Sequence, residues 1–306
     1  MNILVTGGAG YKGTKLVSAL LQRGHTVKLL DNFMFGYQPV MHLVGEENLG
    51  IVQKDVRNLE PADVAGYDVI YHLAGISGMP ACAANPNAAE MINVEATRKL
   101  CDMMHKTQLL IYASTTSFYG ASGEGCNEST TVAPVSIYGR TKYHGELIAQ
   151  QRENSISLRF ATVFGLSPKM RTDLLVNDFT YRAVHERSLV IFAGQSKRTF
   201  IHIDDAISGY LFALDHADAM RNAVFNVGGD HLNYSKLDIA DAIQLRVPFE
   251  RIISSLPDLD VRNFLVSFDR LTALGYRVKL DLDYGVRELV KLYGFYNNGN
   301  GANRIV

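Results

Sequence analysis

Five residues, Tyr138-Gly139-Arg140-Thr141-Lys142, form a Y-x-x-x-K string. In a helix, Tyr138 and Lys142 stand one turn apart on a shared face. A phenol ordinarily ionises near pH 10, and positive charges held beside it favour the phenolate. A drop of about 3 units needs roughly 4 kcal/mol, which two cations in a dry cleft can supply. Such a base takes a proton from a sugar or alcohol hydroxyl near neutral pH. A Tyr and a Lys at this spacing also occur on ordinary surface helices, so the chemistry depends on what surrounds them.

Tyr112-Ala113-Ser114-Thr115-Thr116-Ser117 ends an apolar run with four hydroxyl residues. At the C-terminal end of a parallel strand, where ligands bind, a hydroxyl can bridge a carbinol oxygen and the base. Such hydroxyls can also serve loop backbone alone. Near the N-terminus, Gly7-Gly8-Ala9-Gly10-Tyr11-Lys12-Gly13 separates an apolar run from a helical pattern. Glycine there permits a tight turn and lets amides approach a pyrophosphate at the helix N-terminus. Asp31 ends the next apolar run. It is placed to accept from both hydroxyls of an adenosine ribose, which favours NAD over NADP.

Asp55 and Val56 follow the third run, as adenine contacts or with Asp55 as a turn cap. His72-Leu73-Ala74-Gly75 ends the fourth, where small residues let backbone lie against a cofactor. Asn93, polar on an otherwise packed helix, either joins that surface or ties down a neighbouring backbone.

The elements that must position these residues follow from periodicity. Strands are predicted at residues 3–5, 26–30, 51–53, 69–73, 109–113 and 157–160, and helices at 12–23, 88–105 and 138–153. Strand–helix–strand in this rhythm predicts an α/β fold with a Rossmann-type, doubly wound parallel sheet. The rhythm breaks at Gly165-Leu166-Ser167-Pro168. Beyond it we expect helices at 174–185, 204–216, 235–245 and 284–292, and strands at 190–192 and 199–203 flanking a Gly194-Gln195 turn. The expected division is an NAD-binding domain of residues 1–165 with about 196–228, and a smaller substrate-binding lobe of about 166–195 with 229–306.

The 306 residues are 47% hydrophobic and 20% charged with a formal net charge of −1, which fits a soluble globular protein and draws it to neither nucleic acid nor an anionic membrane. No apolar run reaches the roughly 18 residues of a membrane span, and the N-terminus leaves no room for a signal peptide core. Cys82, Cys101 and Cys126 are too scattered for a disulfide or metal pattern. We expect thiols of a cytoplasmic protein and no metal.

Taken together, TGGAGYKG, LLDNF, KDVRN, HLAG, INVEAT, ASTTSFYG, YGRTK, LRFATVFG, RTFIHIDD and FNVGG resemble, in order and nearly end to end, the extended short-chain dehydrogenase/reductases, the NAD-dependent nucleotide-sugar epimerases and dehydratases. The resemblance implies that Tyr138 is the catalytic base, Lys142 its partner and ribose ligand, and Thr115 the hydroxyl on the sugar. It implies a cofactor surface of Gly7, Gly10, Tyr11, Lys12, Gly13, Asp31, Asn32, Asp55, Val56, Leu73, Ala74, Gly75, Asn93, Ser114, Phe160 and Val163 with Tyr138 and Lys142. Ser77, Thr115, Thr116, Thr162, Arg198 and Arg262 are the implied substrate contacts. The two helices at 88–105 and 138–153 are implied to pair with their copies in a homodimer.

The departures narrow the activity. Thr116 and Ser117 stand where dehydratases of the family carry an acidic pair, so a general acid for water loss is missing. Thr162 replaces a usual asparagine, and Lys12 a usual aliphatic residue. Pro257 stands where galactose epimerases commonly place an arginine, leaving Arg262 to meet the nucleotide. The stretches TVFGLSPKMRTDLLVNDFTYRA and DLDVRNFLVSF are most similar to a sub-branch serving bacterial surface-polysaccharide sugars, which includes a C4 oxidation of a GDP-heptose. The implied function is an NAD-dependent nucleotide-sugar epimerase that passes through a 4-keto sugar. The alternative is a 4-dehydrogenase or reductase that releases or reduces that ketone. Further alternatives are a dehydratase and a non-catalytic NAD-binding regulator, which would have no need of Tyr138, Lys142 and Thr115 together.

Overall fold

A computed structural model describes residues 1–120, 125–256 and 265–296. Its strands in chain order are β1 (Asn2–Thr6), β2 (Thr26–Asp31), β3 (Leu49–Gln53), β4 (Val69–His72), β5 (Leu109–Thr115), β6 (Gly125–Cys126), β7 (Ser155–Phe160), β8 (Thr162–Phe164), β9 (Ser188–Phe192), β10 (Lys197–His202), β11 (Ala223–Val227), β12 (Asn233–Ser235), β13 (Glu250–Ser254) and β14 (Leu265–Val266). Seven of them form one sheet in the order β11-β7-β5-β4-β1-β2-β3, with every neighbouring pair parallel. All seven residues of β5 are buried, as are Ile3, Leu4 and Val5 of β1. Continuous apolar runs of this kind belong to strands covered on both faces. The predicted α/β, Rossmann-type doubly wound sheet is thus present.

The strand order reverses between β1 and β4, so their C-terminal ends open a crevice. The helix Tyr11–Gln22 leaves β1, close to the predicted span of 12–23, and is followed by Gly24, whose φ of +78° suits glycine. Gly24 N–H donates to Leu21 O and His25 N–H to Leu20 O, closing the last turn.

Two expectations differ in detail. The helix predicted at 88–105 begins at Pro86, because the Asn85 side chain accepts from Ala88 N–H and proline fits the first turn. It then passes through a π-helical turn, Met91–Glu95, before resuming as Ala96–Met103. The strands on either side of Gly194-Gln195 form but do not pair with each other. Ala193, at φ +46°, turns the chain so that β9 pairs with β13, while β10 joins β8 and β12 in a three-stranded sheet.

The main sheet is covered on both faces, by a large apolar core that includes Ile3, Val5 and Ile111 and by a smaller one that includes Leu4, Ile70 and Leu110, and Phe164, Phe200, Ile239, Val286 and their neighbours form a third. Cys82, Cys101 and Cys126 are all buried. Burial pushes the Cys82 and Cys101 thiols up to about 11 and about 12, which leaves them inert.

A buried ion pair locks the helix Ile137–Gln150 to the sheet. Arg159 on β7 donates from Nη2 to Glu146 Oε1 at 2.6 Å, with the two side chains 5% and 0% exposed. Ser114 on β5 donates to the same carboxylate at 2.6 Å. Arg159 Nη1 reaches Tyr119 Oη at 2.7 Å, which donates to Asn226 on β11. One carboxylate thereby fixes β5, β7 and β11 against the helix that carries Tyr138 and Lys142. Glu146→Ala, which strands a buried guanidinium, is expected to cost about 3–5 kcal/mol, read as a lowered urea midpoint. A loss under about 1 kcal/mol would mean that water already reaches the pair.

Candidate active site

The glycine loop is built on close backbone approach. A Cβ on Gly7, where φ is +71°, would lie 2.6 Å from Ala74 N, and one on Gly13 2.2 Å from Gly7 O. The loop can rest against the end of β4, and the helix against the loop, only because both are glycine. Gly10 caps that helix without a side chain, and no acid occupies its first turn. The N–H groups of Tyr11, Lys12 and Gly13 therefore lack intrahelical acceptors at the positive end of the helix dipole.

Asp31 ends β2 and steadies this loop. Its Oδ2 accepts from Ala9 N–H at 3.0 Å and its Oδ1 from Phe33 N–H at 2.9 Å. Burial pushes its carboxyl above the usual range, against the pull of these donors. Each oxygen keeps a second lone pair for a ligand hydroxyl. Gly7, Gly10, Asp31, Asn32, Asp55, Val56, Leu73, Ala74 and Gly75 line one cleft, which Phe33–Gly36, Ile76 and Ile92 complete. Asp55 also caps the turn Val56–Asn58 and is forked by Arg57 at 2.9 Å, whose guanidinium holds its carboxyl down at about 2.

Asn93 lies in the π turn and ties backbone, the second of the two readings that its sequence left open. It accepts from Ile76 N–H at 2.8 Å, donates to Ile76 O at 3.0 Å and donates to Thr141 Oγ1 at 3.0 Å. A Cβ on Gly75 would stand 2.8 Å from Asn93 Oδ1. The extra residue of a π turn redirects the side chains around it, and here one amide joins the loop after β4 to the turn between Tyr138 and Lys142.

Ser136 caps the helix Ile137–Gln150 by accepting from Gly139 N–H. Tyr138 is half-buried and Lys142 buried, with Lys142 Nζ 4.1 Å from the centre of the Tyr112 ring. Burial pushes the Lys142 ammonium down to about 7, although Glu146 and Cys82 pull the other way. Thr115 ends β5 opposite Phe160 of β7. Its hydroxyl donates to Ser117 Oγ at 3.0 Å and accepts from Ser117 N–H at 3.1 Å. Thr116 donates to Phe160 O. The Ser114 hydroxyl faces Glu146 rather than the cleft.

The remaining expected residues are more dispersed. Thr162 and Val163 are half-buried on β8, Val163 packing on the large core. Arg198 is buried on β10 opposite Tyr234. Ser77 is exposed and its carbonyl accepts from Arg171 at 3.4 Å. Arg262 and Pro257 lie outside the described residues.

Periodicity does not single out the segment after β8. Tyr11 Oη donates to Gly165 O and Ser167 Oγ to Tyr11 O, both at 2.7 Å. Lys169 Nζ stands 4.5 Å from the Phe35 ring centre. Arg171 is forked by Asp173 and reaches Ser77 O. Residues 165–173 thus run from the glycine loop past the end of β2 to the loop after β4. Their sequence signals are the resemblance of the stretch that contains them to one sub-branch of the family and the charge pattern Lys169, Arg171, Asp173 just beyond the break at Pro168. The cluster of His202, Asp204 and Glu288 is internally satisfied: Glu288 pairs with His202 at 3.2 Å and accepts from Leu166 N–H, and Asp204 pairs with Lys15.

Two expectations can be checked on the cofactor-free protein. Burial also pushes Lys12 down to about 7, helped by Lys142 and Arg171. Lysine in the unfolded chain ionises near pH 10.4. Between pH 7 and about 10 the unfolded chain therefore binds more protons at both lysines, so these groups make stability rise with pH. Lys12→Met is expected to raise stability at pH 6 and flatten that rise, measured as urea midpoints from pH 6 to 9. An unchanged pH profile would show that Lys12 is solvated. Asn93→Ala leaves the Ile76 amide and carbonyl without partners and is expected to cost about 1–3 kcal/mol, which thermal unfolding would report. A wild-type midpoint would contradict it.

Residues 3–228 match the NAD dependent epimerase/dehydratase family. The chain is similar to the uncharacterized UDP-glucose epimerase YtcB of Bacillus subtilis (strain 168), 33% identical over 252 residues that cover 75% of this chain and 77% of that protein. It is similar to UDP-glucuronate 4-epimerase 3 of Arabidopsis thaliana, 29% identical with 98% and 78% covered. It also resembles the crystal structure of UDP-glucuronic acid 4-epimerase from Bacillus cereus in complex with UDP-glucuronic acid and NAD. That comparison gives a TM-score of 0.84 and 26% identity, covering 96% of this chain and 99% of that one. A match that spans β1 through β11 agrees with the strand order and the glycine loop already described, and the chain belongs to the NAD dependent epimerase/dehydratase family.

Proposed function

We propose that this protein is an NAD-dependent nucleotide-sugar 4-epimerase that works by transient oxidation at C4, with a UDP-sugar as substrate. The observation that carries this reading is the placement of Tyr138 and Lys142 on one helical turn, joined by Thr141 and Asn93 to the loop after β4. That loop, with Ala74, Gly75 and Ile76, lines the cleft that also holds the glycine loop and Asp31. The names of the relatives supply the reaction and the nucleotide.

NAD fits these residues. The uncapped helix N-terminus beside glycines that admit no Cβ suits a pyrophosphate, and the Asp31 carboxylate suits two ribose hydroxyls and repels a 2′-phosphate. When bound, NAD accepts a hydride from the sugar and returns it. Tyr138 takes the proton from the 4-hydroxyl and gives it back. Lys142 holds the phenolate and the ribose beside it, and Thr115 orients the sugar oxygen. In the epimerase reading the 4-keto sugar turns over before reduction on its other face. Thr116 and Ser117 are bonded to Phe160 O and Thr115 and supply no general acid, which supports epimerisation over dehydration.

The same reading includes a homodimer through the helical run 86–103 and the helix Ile137–Gln150, supported by the exposed Met91 and Leu147. It also includes a cytoplasmic location, supported by the buried free thiols of Cys82 and Cys101. Among the described residues no helix is long and apolar enough to cross a membrane.

Incubation with UDP-glucuronate and UDP-glucose, followed by NMR, is expected to give the C4-inverted sugar without net formation of NADH. Stoichiometric NADH with no inverted sugar would replace epimerisation by net oxidation. Tyr138→Phe is expected to lower turnover by roughly 10²-fold or more while NAD stays bound. Near-normal turnover in that variant would remove Tyr138 from the chemistry.

A further inference from the structure

Lys12 is a cation without an acid. It occupies the second position of the helix Tyr11–Gln22, and its Nζ stands 4.3 Å from the centre of the Phe160 ring and 5.4 Å from that of Tyr210. Phe160 ends β7 in register with Thr115. The ammonium therefore lies at the end of the site that carries Thr115, Tyr138 and Lys142, away from Asp31 at the end of β2. The charged groups that act on it most are two further cations, Lys142 and Arg171. Lys142 has Glu146 nearby and Arg171 is forked by Asp173. No carboxylate among the described residues pairs with Lys12, and two aromatic faces take the place of a counter-ion.

The proposed cofactor changes charge at its ring. Oxidised nicotinamide is a cation and the reduced ring is neutral, whereas the pyrophosphate and both riboses are the same in the two forms. While protonated, below about pH 7, a Lys12 ammonium at the hydride-transfer end of the site would disfavour the oxidised form by roughly tenfold. We propose that Lys12 sets the redox balance of this site, weakening NAD⁺ relative to NADH and so prolonging the 4-keto stage of the reaction. The inference rests on NAD being the cofactor, as in the reading above.

The test compares dissociation constants of NAD⁺ and NADH at pH 6, where Lys12 is protonated, by calorimetry and nicotinamide fluorescence, on the full-length protein stripped of cofactor. In Lys12→Met the charge is lost at similar length. The ratio of the NAD⁺ constant to the NADH constant is expected to fall about tenfold, equivalent to a midpoint about 30 mV lower for the two-electron couple. Lys12→Arg, which keeps the charge, is expected to hold the wild-type ratio. An unchanged ratio in Lys12→Met, or the same fall in Lys12→Arg, overturns the proposal.

Should Lys12→Met fail to fold, the wild-type protein still decides. ADP-ribose lacks the charged ring and is expected to bind at least as tightly as NAD⁺. NAD⁺ binding more tightly than both NADH and ADP-ribose overturns the proposal. Failure to bind any of the three would instead sink the function proposed above.

Discussion

Where the sheet reverses between β1 and β4, two stretches of backbone pass so closely that a Cβ on Gly7 would stand 2.6 Å from the Ala74 amide nitrogen. That contact sets the depth of the crevice and the angle at which the first helix leaves it. Asp31 reinforces it from β2 by holding Ala9, and Tyr11 carries it to the chain after β8 through Gly165. A side chain at position 7 or 13 would lift the loop off the sheet and displace the helix N-terminus with it.

Across the crevice, the helix of Tyr138 and Lys142 is held by polar groups that are themselves buried. Glu146 binds Arg159 and Ser114 on the sheet side. Asn93 binds Thr141 and both backbone groups of Ile76 on the loop side. Buried networks of this kind are costly when incomplete. Once complete they fix a helix in rotation as well as in position, and rotation decides whether a tyrosine one turn from a lysine faces a ligand or solvent.

The charge distribution divides the site in two. Around Asp31 and Asp55 the crevice offers carboxylate acceptors, with Lys54 in its lining and Arg57 on Asp55. Around Lys12, Lys142 and Arg171 it is cationic, with only Glu146 and Asp173 in partial compensation. In the function proposed above, a dinucleotide spanning the two halves would meet acceptors at its adenosine ribose and lysines at the end where hydride moves. Such a polarity favours electron density arriving at the cationic end.

Local sequence alone determined the parallel sheet, because a strand buried on both faces must read as an unbroken apolar run, as β1 and β5 do. It determined the glycine loop, the acid at the end of β2 and the Tyr138–Lys142 turn, since each depends on spacing within a single element. Spacing could not show the π turn that swings Asn93 inward, nor that Ser114 would turn to Glu146 while Thr115 capped the next turn. The alignment of residues 165–173 with Tyr11, Phe35 and Ser77 was equally hidden, as was the packing of the Lys12 ammonium against Phe160 and Tyr210. Those outcomes join residues far apart in the chain, and packing across the sheet rather than local periodicity chose which partner each polar group would meet.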